Sequence, residues 1–288
     1  MAISASQVKE LRDKTGAGMM DCKKALTEAD GDFDKAIEIL RKKGASVAAK
    51  RADRAANEGV VKTDINGDDT KGVILEVNCE TDFVAKSDDF TNFADGILKL
   101  VVEEEPKDHN ELMDLNFNGA KVSDELTNII GKIGEKIEIS RFAIEKPDNG
   151  LVVDYIHHGS KLGVLIVAEN VESGKDELKS TLKEVAMQVA AMNPSYVKRE
   201  DVPQDVIEKE KEIYKEVAAK EGKPEQVLDR IAEGKLNKFY EESCLLEQAF
   251  VKDNSKTVGD LIKEFNEKNS SGTEIKLFHR YHLSDENK

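Results

Sequence analysis

Apolar residues recur at helical spacing in three short bursts at the start of the chain. Ser4 followed by Gln7 forms a capping-box pattern, and Val8 and Leu11 then share one face of a first helix that ends near Thr15 and Gly16. Gly18 restarts the chain into a second helix with Met20, Cys22, Ala25 and Leu26, which stops near Gly31. Phe33, Ala36, Ile37 and Leu40 mark a third helix, which the pattern closes at Gly44. These helices predict one small domain over residues 1–45. The run SVAAKRADRAANEG that follows has alanines, Lys50, Arg51 and Arg54 but little to bury, so residues 46–57 read as a flexible or helical linker.

Beyond the linker the pattern changes. GVVKTDI (59–65) and GVILEVN (72–78), joined by the turn-rich NGDDTK, predict a β-hairpin in a covered sheet. Phe90, Phe93, Ala94, Ile97, Leu98 and Val101 define one helix, and Leu126, Ile129, Ile130 and Ile133 another. EKIEISRFAIE (135–145) alternates as a strand, completing a unit over 58–146. The order begins again at GLVVDYIHHG (150–159) and GVLIVAEN (163–170), followed by a helix through Leu178, Leu182, Val185, Ala186 and Val189. Its closing helix and strand come only at TVGDLIKEFNEK (257–268) and TEIKLFHRYHL (273–283). The second unit is therefore expected over 147–193 and 256–288, interrupted by an insertion at 194–255. Within the insertion, Val206, Ile207, Ile213, Tyr214 and Val217 form a seam on a charged helix, Gly222 and Pro224 break it, and Leu228, Ile231, Leu236 and Phe239 return. The reading is an α+β chain: an N-terminal three-helix domain, a core of two related α/β subdomains with antiparallel sheets, and a protruding antiparallel helical hairpin in the second. Such a hairpin either packs on its own domain or meets a partner.

Charge narrows the function. The chain carries a net −15, which excludes a nucleic-acid groove spread over the whole surface, although residues 1–57 hold 12 basic against 9 acidic groups and stand apart as a module. Cys22, Cys79 and Cys244 are far apart, odd in number and without a CxxC, which fits a reducing cytoplasm better than a disulfide framework or zinc site. The start lacks an apolar signal core and no 18 apolar residues run together, so neither export nor a membrane span is expected.

Tests for chemistry find little. His157 with His158 and His279 with His282 fall on expected strands, where neighbours and residues three apart point to opposite faces and cannot converge on a metal. Gly16-Ala17-Gly18 suggests a phosphate loop, but Asp21 occupies the third glycine position and no GxxxxGK[ST] occurs, so no nucleotide or other cofactor is expected. No cysteine has a local nucleophile signature, and the acidic clusters sit at helix ends. One feature stands out: Thr81-Asp82-Phe83-Val84 places an acid and a large aromatic in a strand-to-helix loop. From the residues alone two readings stand, a functional loop and a structural one in which Asp82 caps the next helix and Phe83 tucks into its own core, and the structural reading is favoured.

Two long segments change that. Thr15-Gly16-Ala17-Gly18-Met19-Met20-Asp21-Cys22-Lys23-Lys24-Ala25-Leu26 and Glu76-Val77-Asn78-Cys79-Glu80-Thr81-Asp82-Phe83-Val84-Ala85 closely resemble the two signatures of the elongation factor Ts family. The resemblance extends to Lys132-Ile133-Gly134-Glu135, the His158-Gly159 turn and Lys256-Thr257-Val258-Gly259. It implies a ubiquitin-associated-like (UBA-like) N-terminal domain and a non-enzymatic guanine nucleotide exchange factor. The partner it implies is the GTPase elongation factor Tu, from which magnesium and GDP are displaced. Thr81, Asp82, Phe83 and Val84 would meet the base of the GTPase's nucleotide site, with Phe83 entering an apolar crevice. Met19, Met20, Ile133, Gly134 and His158 match further contacts to it. Two departures are visible: Ala249 stands where proline is usual, and the chain ends soon after its last strand, without the extra helix some members carry. The rivals are an adaptor that docks through the N-terminal module and hairpin without touching nucleotide, and a cysteine-dependent enzyme. A homodimer through the hairpin or core is left open.

Overall fold

The computed structural model describes residues 3–285; the outermost positions of the first and last expected units, 1–2 and 286–288, lie outside the described residues. Three helices come first: α1 (Ala5–Thr15), α2 (Met19–Glu28) and α3 (Phe33–Arg51). Ser4 and Gln7 form the expected capping box, the Gln7 N–H donating to Ser4 Oγ at 3.2 Å and the Ser4 N–H to Gln7 Oε1 at 2.9 Å. Val8, Leu11, Cys22, Ala25, Leu26 and Ala36 make the shared core.

The third helix does not stop at Gly44. It runs through Arg51, so the first part of the expected linker is helical. Gly44 is buried because α3 crosses another helix there. A Cβ on Gly131 of α7 (Val122–Ile133) would lie 2.7 Å from the Gly44 Cα. An interior glycine costs a helix about 1 kcal/mol, and here it lets two backbones touch.

The first α/β unit comprises β1 (Glu58–Ile65), β2 (Gly72–Cys79), α4 (Asp82–Ala85), α5 (Asp88–Glu104), α6 (His109–Asp114), the two-residue strands β3 (Asn116–Phe117) and β4 (Ala120–Lys121), then α7 and β5 (Ile137–Glu145). The second comprises β6 (Gly150–Ile156), β7 (Leu162–Glu169) and α8 (Lys175–Met192), then the hairpin α9 (Gln204–Lys220) and α10 (Glu225–Ser243), the short pair β8 (Ala249–Phe250) and β9 (Asp253–Thr257), and finally α11 (Val258–Asn269) and β10 (Glu274–His282). Each unit holds a three-stranded antiparallel sheet, ordered β1-β2-β5 and β10-β7-β6.

The sheets stack face to face. Val61, Ile74, Val152, Leu165, Val167 and Tyr281 fill the space between them. The outer face of the first sheet packs Val73, Leu75 and Val77 against Phe90, Ala94, Ile97 and Ile130, and that of the second packs Val164 and Ile166 against Leu178, Leu182 and Val185. Burial on both faces explains why β7 reads as a continuous apolar run and β2 opens as one through Val73, Ile74 and Leu75, while the buried Glu76 farther along β2 pairs with Arg141. The contact between the sheets is reciprocal. A Cβ on Gly72, which opens β2, would lie 2.5 Å from Val152 Cγ1, and one on Gly163, at the matching place in β7, would lie 2.5 Å from Val61 Cγ1.

The hairpin packs on itself. At its base Val202, Leu236, Tyr240 and Cys244 form a small core, and the Arg199 guanidinium lies 4.6 Å from the Tyr240 ring centroid. Towards the tip Ile213, Val217 and Val227 are exposed.

Candidate functional site

The strand-to-helix loop is built from the cap outward. β2 ends at Cys79, and Thr81 takes an extended conformation (φ −128°, ψ 152°) that suits a helix cap. Its Oγ1 accepts the Val84 N–H at 3.4 Å and its carbonyl the Ala85 N–H at 3.1 Å, closing the single turn of α4. Thr81 is thus the cap, and Asp82 is the first helical residue, where a carboxylate suits the positive end of the turn. The next long helix, α5, is capped by Ser87. Asp82 pairs with Lys86 at 2.8 Å, which together with Lys161 further off holds its carboxyl below the usual range.

Ala85 is buried and Val84 packs against the core, which leaves Phe83 on the opposite side of the turn. Phe83 is 82% exposed, more than any other large hydrophobic residue among those described. The expectation that the ring tucks into its own core is therefore overturned: one turn of helix cannot bury three successive apolar residues against a single surface. A ring of this size held in water forgoes about 1.5–3 kcal/mol of burial.

Two carboxylates hold the loop from behind. Glu135 Oε1 accepts the Thr81 hydroxyl at 2.8 Å and Oε2 the Thr81 N–H at 3.0 Å. Glu80 accepts the Lys136 N–H at 2.6 Å, Arg51 Nη1 at 2.7 Å and Arg54 Nη1 at 3.1 Å. Burial pushes the Glu80 carboxyl up, but these donors outweigh it and bring the pKa down to about 2. Sequence reasoning missed both residues as parts of the site. Each lies inside a matched segment, but nothing local in the sequence says that the two segments meet.

The other expected positions are linked to α7 or to β1. Ile133 and Gly134 end α7 directly before Glu135, Ile133 half-buried against the core and Gly134 at φ 80° as the left-handed C-cap. They are joined to Thr81 through Glu135. His157 and His158 do not lie on a strand, since β6 ends at Ile156; the chain turns through Gly159 (φ 88°) and Ser160 (φ 55°), leaving His158 exposed. Ser160 accepts the Val61 N–H at 2.7 Å and Lys161 pairs with Glu58 at 2.6 Å, which places this turn beside the start of β1. Met19 and Met20 open α2 and are 57% and 64% exposed. Their corner is tied to α7 by Lys132, whose Nζ would lie 2.9 Å from a Cβ on Gly16 and pairs with Asp89 at 2.6 Å. One stretch of α7 and the residues just after it therefore reach both the methionine corner and the Phe83 loop.

Comparison with known proteins decides what this frame is. The family model described as Elongation factor TS matches residues 80–285. A curated relative from Chloroherpeton thalassium named Elongation factor Ts is 47% identical over 287 residues, covering 98% of this chain and 99% of its own length. One of the same name from Chlorobium phaeobacteroides is 48% identical over 285 residues, with 98% of each chain covered. A third, from Christiangramia forsetii, is 50% identical over 262 residues, covering 91% and 93%. The chain belongs to the elongation factor Ts family. Its role is accordingly in translation elongation.

Against the elongation factor Ts background the remaining candidates are quiet. All three cysteines are buried; burial pushes the thiol of Cys79 up to about 12 and that of Cys244 to about 11, and raises that of Cys22. None has the lowered pKa that an attacking thiolate needs. Among the described residues no three or more His, Cys, Asp or Glu side chains are arranged to hold a metal, and no helix is long and apolar enough to cross a membrane. Ala249 lies exposed in β8 opposite Thr257, and its carbonyl accepts Gln188 Nε2 at 3.1 Å.

Proposed function

We propose that this chain is a guanine nucleotide exchange factor acting on the GDP form of elongation factor Tu, the GTPase partner its family implies. The observation that carries the reading is Phe83, an aromatic ring held in water on a turn whose backbone is capped and clamped. The backbone beneath the ring is pre-organised for insertion, so only side-chain rotamer entropy is left to lose when the ring enters a pocket.

Entry of Phe83 into an apolar crevice of the GTPase domain gains about 1.5–3 kcal/mol. Where the crevice lies between helices that support the magnesium side of the nucleotide site, that energy displaces the metal bridging phosphates and protein and weakens GDP. Each 1.4 kcal/mol or so of coupling changes the affinity tenfold. Asp82 beside the ring carries a negative charge towards the same site. Met19 and Met20, with adaptable side chains, and the Ile133–Gly134 and His158 turns supply flanking contacts. Coupling is reciprocal, so rebinding nucleotide expels the factor and lets it turn over without any bond being made or broken. The test is release of a fluorescent GDP from elongation factor Tu with the wild-type chain and with Phe83→Ala. Acceleration that depends on Phe83 supports the reading; binding without acceleration hands the protein to an adaptor role.

A further inference from the structure

The two carboxylates behind the loop are arranged reciprocally. Glu80 and Thr81 form one dipeptide and Glu135 and Lys136 the other, and each glutamate accepts the backbone N–H of the other dipeptide's second residue. Beyond that the two differ. Glu80 also binds two guanidiniums. Glu135 pairs with no cation within 4.0 Å among the described residues; both its oxygens are given to Thr81. Its charge lies close enough to the buried Cys79 thiol to help raise it, after burial itself. Both Glu135 oxygens thus serve to orient one residue, Thr81.

That orientation has a consequence for Phe83. The Thr81 hydroxyl has a single proton. Because the proton is directed to Glu135, a lone pair is left facing the Val84 N–H, and the hydroxyl both anchors the loop and caps α4. Without Glu135 the hydroxyl is free to rotate and the cap is one choice among several. The Phe83 ring is 82% exposed, so the direction in which its Cα–Cβ bond leaves the protein is set by the backbone of this one turn.

We infer that Glu135 is a positioning residue of the exchange site: it fixes the Thr81 cap, and through it the direction in which Phe83 projects relative to the Ile133–Gly134 turn. The inference rests on the exchange reading above, and its test separates the two. Glu135→Ala and Glu135→Gln are made in the full chain, alone and with Phe83→Ala. The glutamine keeps one acceptor for the Thr81 hydroxyl but turns an NH2 towards the Thr81 N–H, so its effect is intermediate.

The first readout needs no partner. Amide hydrogen exchange in the free protein quickens at Val84 and Ala85 in Glu135→Ala, while the amides of β2 and β5 stay protected. The second is GDP release from elongation factor Tu. Losing two hydrogen bonds to a charged group lowers the acceleration about tenfold in Glu135→Ala, and the same change has no further effect once Phe83 is alanine. Unaltered exchange at Val84 and Ala85, or effects of the two substitutions that multiply, overturn the role of Glu135 while leaving the exchange reading standing. A wild-type chain that fails to accelerate release overturns the exchange reading, and with it the site that Glu135 would position. Should the alanine variant fail to fold, the glutamine variant carries both readouts.

Discussion

Replacing Glu80 by glutamine removes a charge without changing its size, and the structure sets both the cost and its dependence on pH. The carboxylate is only 13% exposed and takes three donors, two of them guanidiniums. Its pKa falls from an ordinary 4.5 to about 2, burial raising it and the donors more than reversing that. A difference of this size corresponds to about 3 kcal/mol of folding stability. Arg54 is 57% exposed, so solvent and salt weaken its part, and about 2 kcal/mol is expected at neutral pH. The sign follows from the lowered value. The contribution is complete above 4.5 and is lost as the pH falls towards 2. Less than half remains by about pH 3. Thermal or urea unfolding of wild type and Glu80→Gln at pH 7, 5, 4 and 3 reads this directly, since titrations common to both chains cancel. A gap that is absent at pH 7, or as wide at pH 3 as at pH 7, would refute the account of Glu80.

Two further substitutions probe the frame around the site. Gly131→Ala puts a Cβ 2.7 Å from the Gly44 Cα, so α3 and α7 must part by about 1 Å. The strain of about 1–3 kcal/mol exceeds the gain of about 1 kcal/mol in helix propensity, and the segment between Ala52 and Asn57 becomes more open to protease; an unchanged cleavage rate would show that the glycines do not set this crossing. Deleting the hairpin tip around Gly222 leaves GDP release intact, because α9 and α10 pack mainly on themselves; a severe loss of rate would mean the interface has been placed on the wrong part of the molecule.

How much the sequence revealed depended on whether the deciding contact was local. The helix through Phe90, Phe93, Ala94, Ile97 and Val101 and the capping box at Ser4 were legible because periodicity and capping are settled within a few residues. The matching runs GVILEVN and GVLIVAEN pointed to related halves, and Gly72 and Gly163 make equivalent contacts across the two sheets. The continuation of α3 past Gly44 was not legible, since a glycine inside a helix reads as a stop until its partner, Gly131, is known. Phe83 failed in the same way: an aromatic next to Val84 and Ala85, which pack on the core, is expected to follow them, and only the family resemblance argued otherwise. The Glu80 and Glu135 clamps join segments that are distant in the chain, and no spacing rule brings such pairs together.

The most direct test of the central claim is stopped-flow release of a fluorescent GDP from elongation factor Tu, with Phe83→Ala beside the wild-type chain. Because the ring is 82% exposed, its removal leaves the melting temperature nearly unchanged. Release is expected to be rapid with wild type and at least about tenfold slower with the variant, corresponding to about 1.4 kcal/mol of lost coupling. An unchanged release rate in a well-folded variant would contradict it.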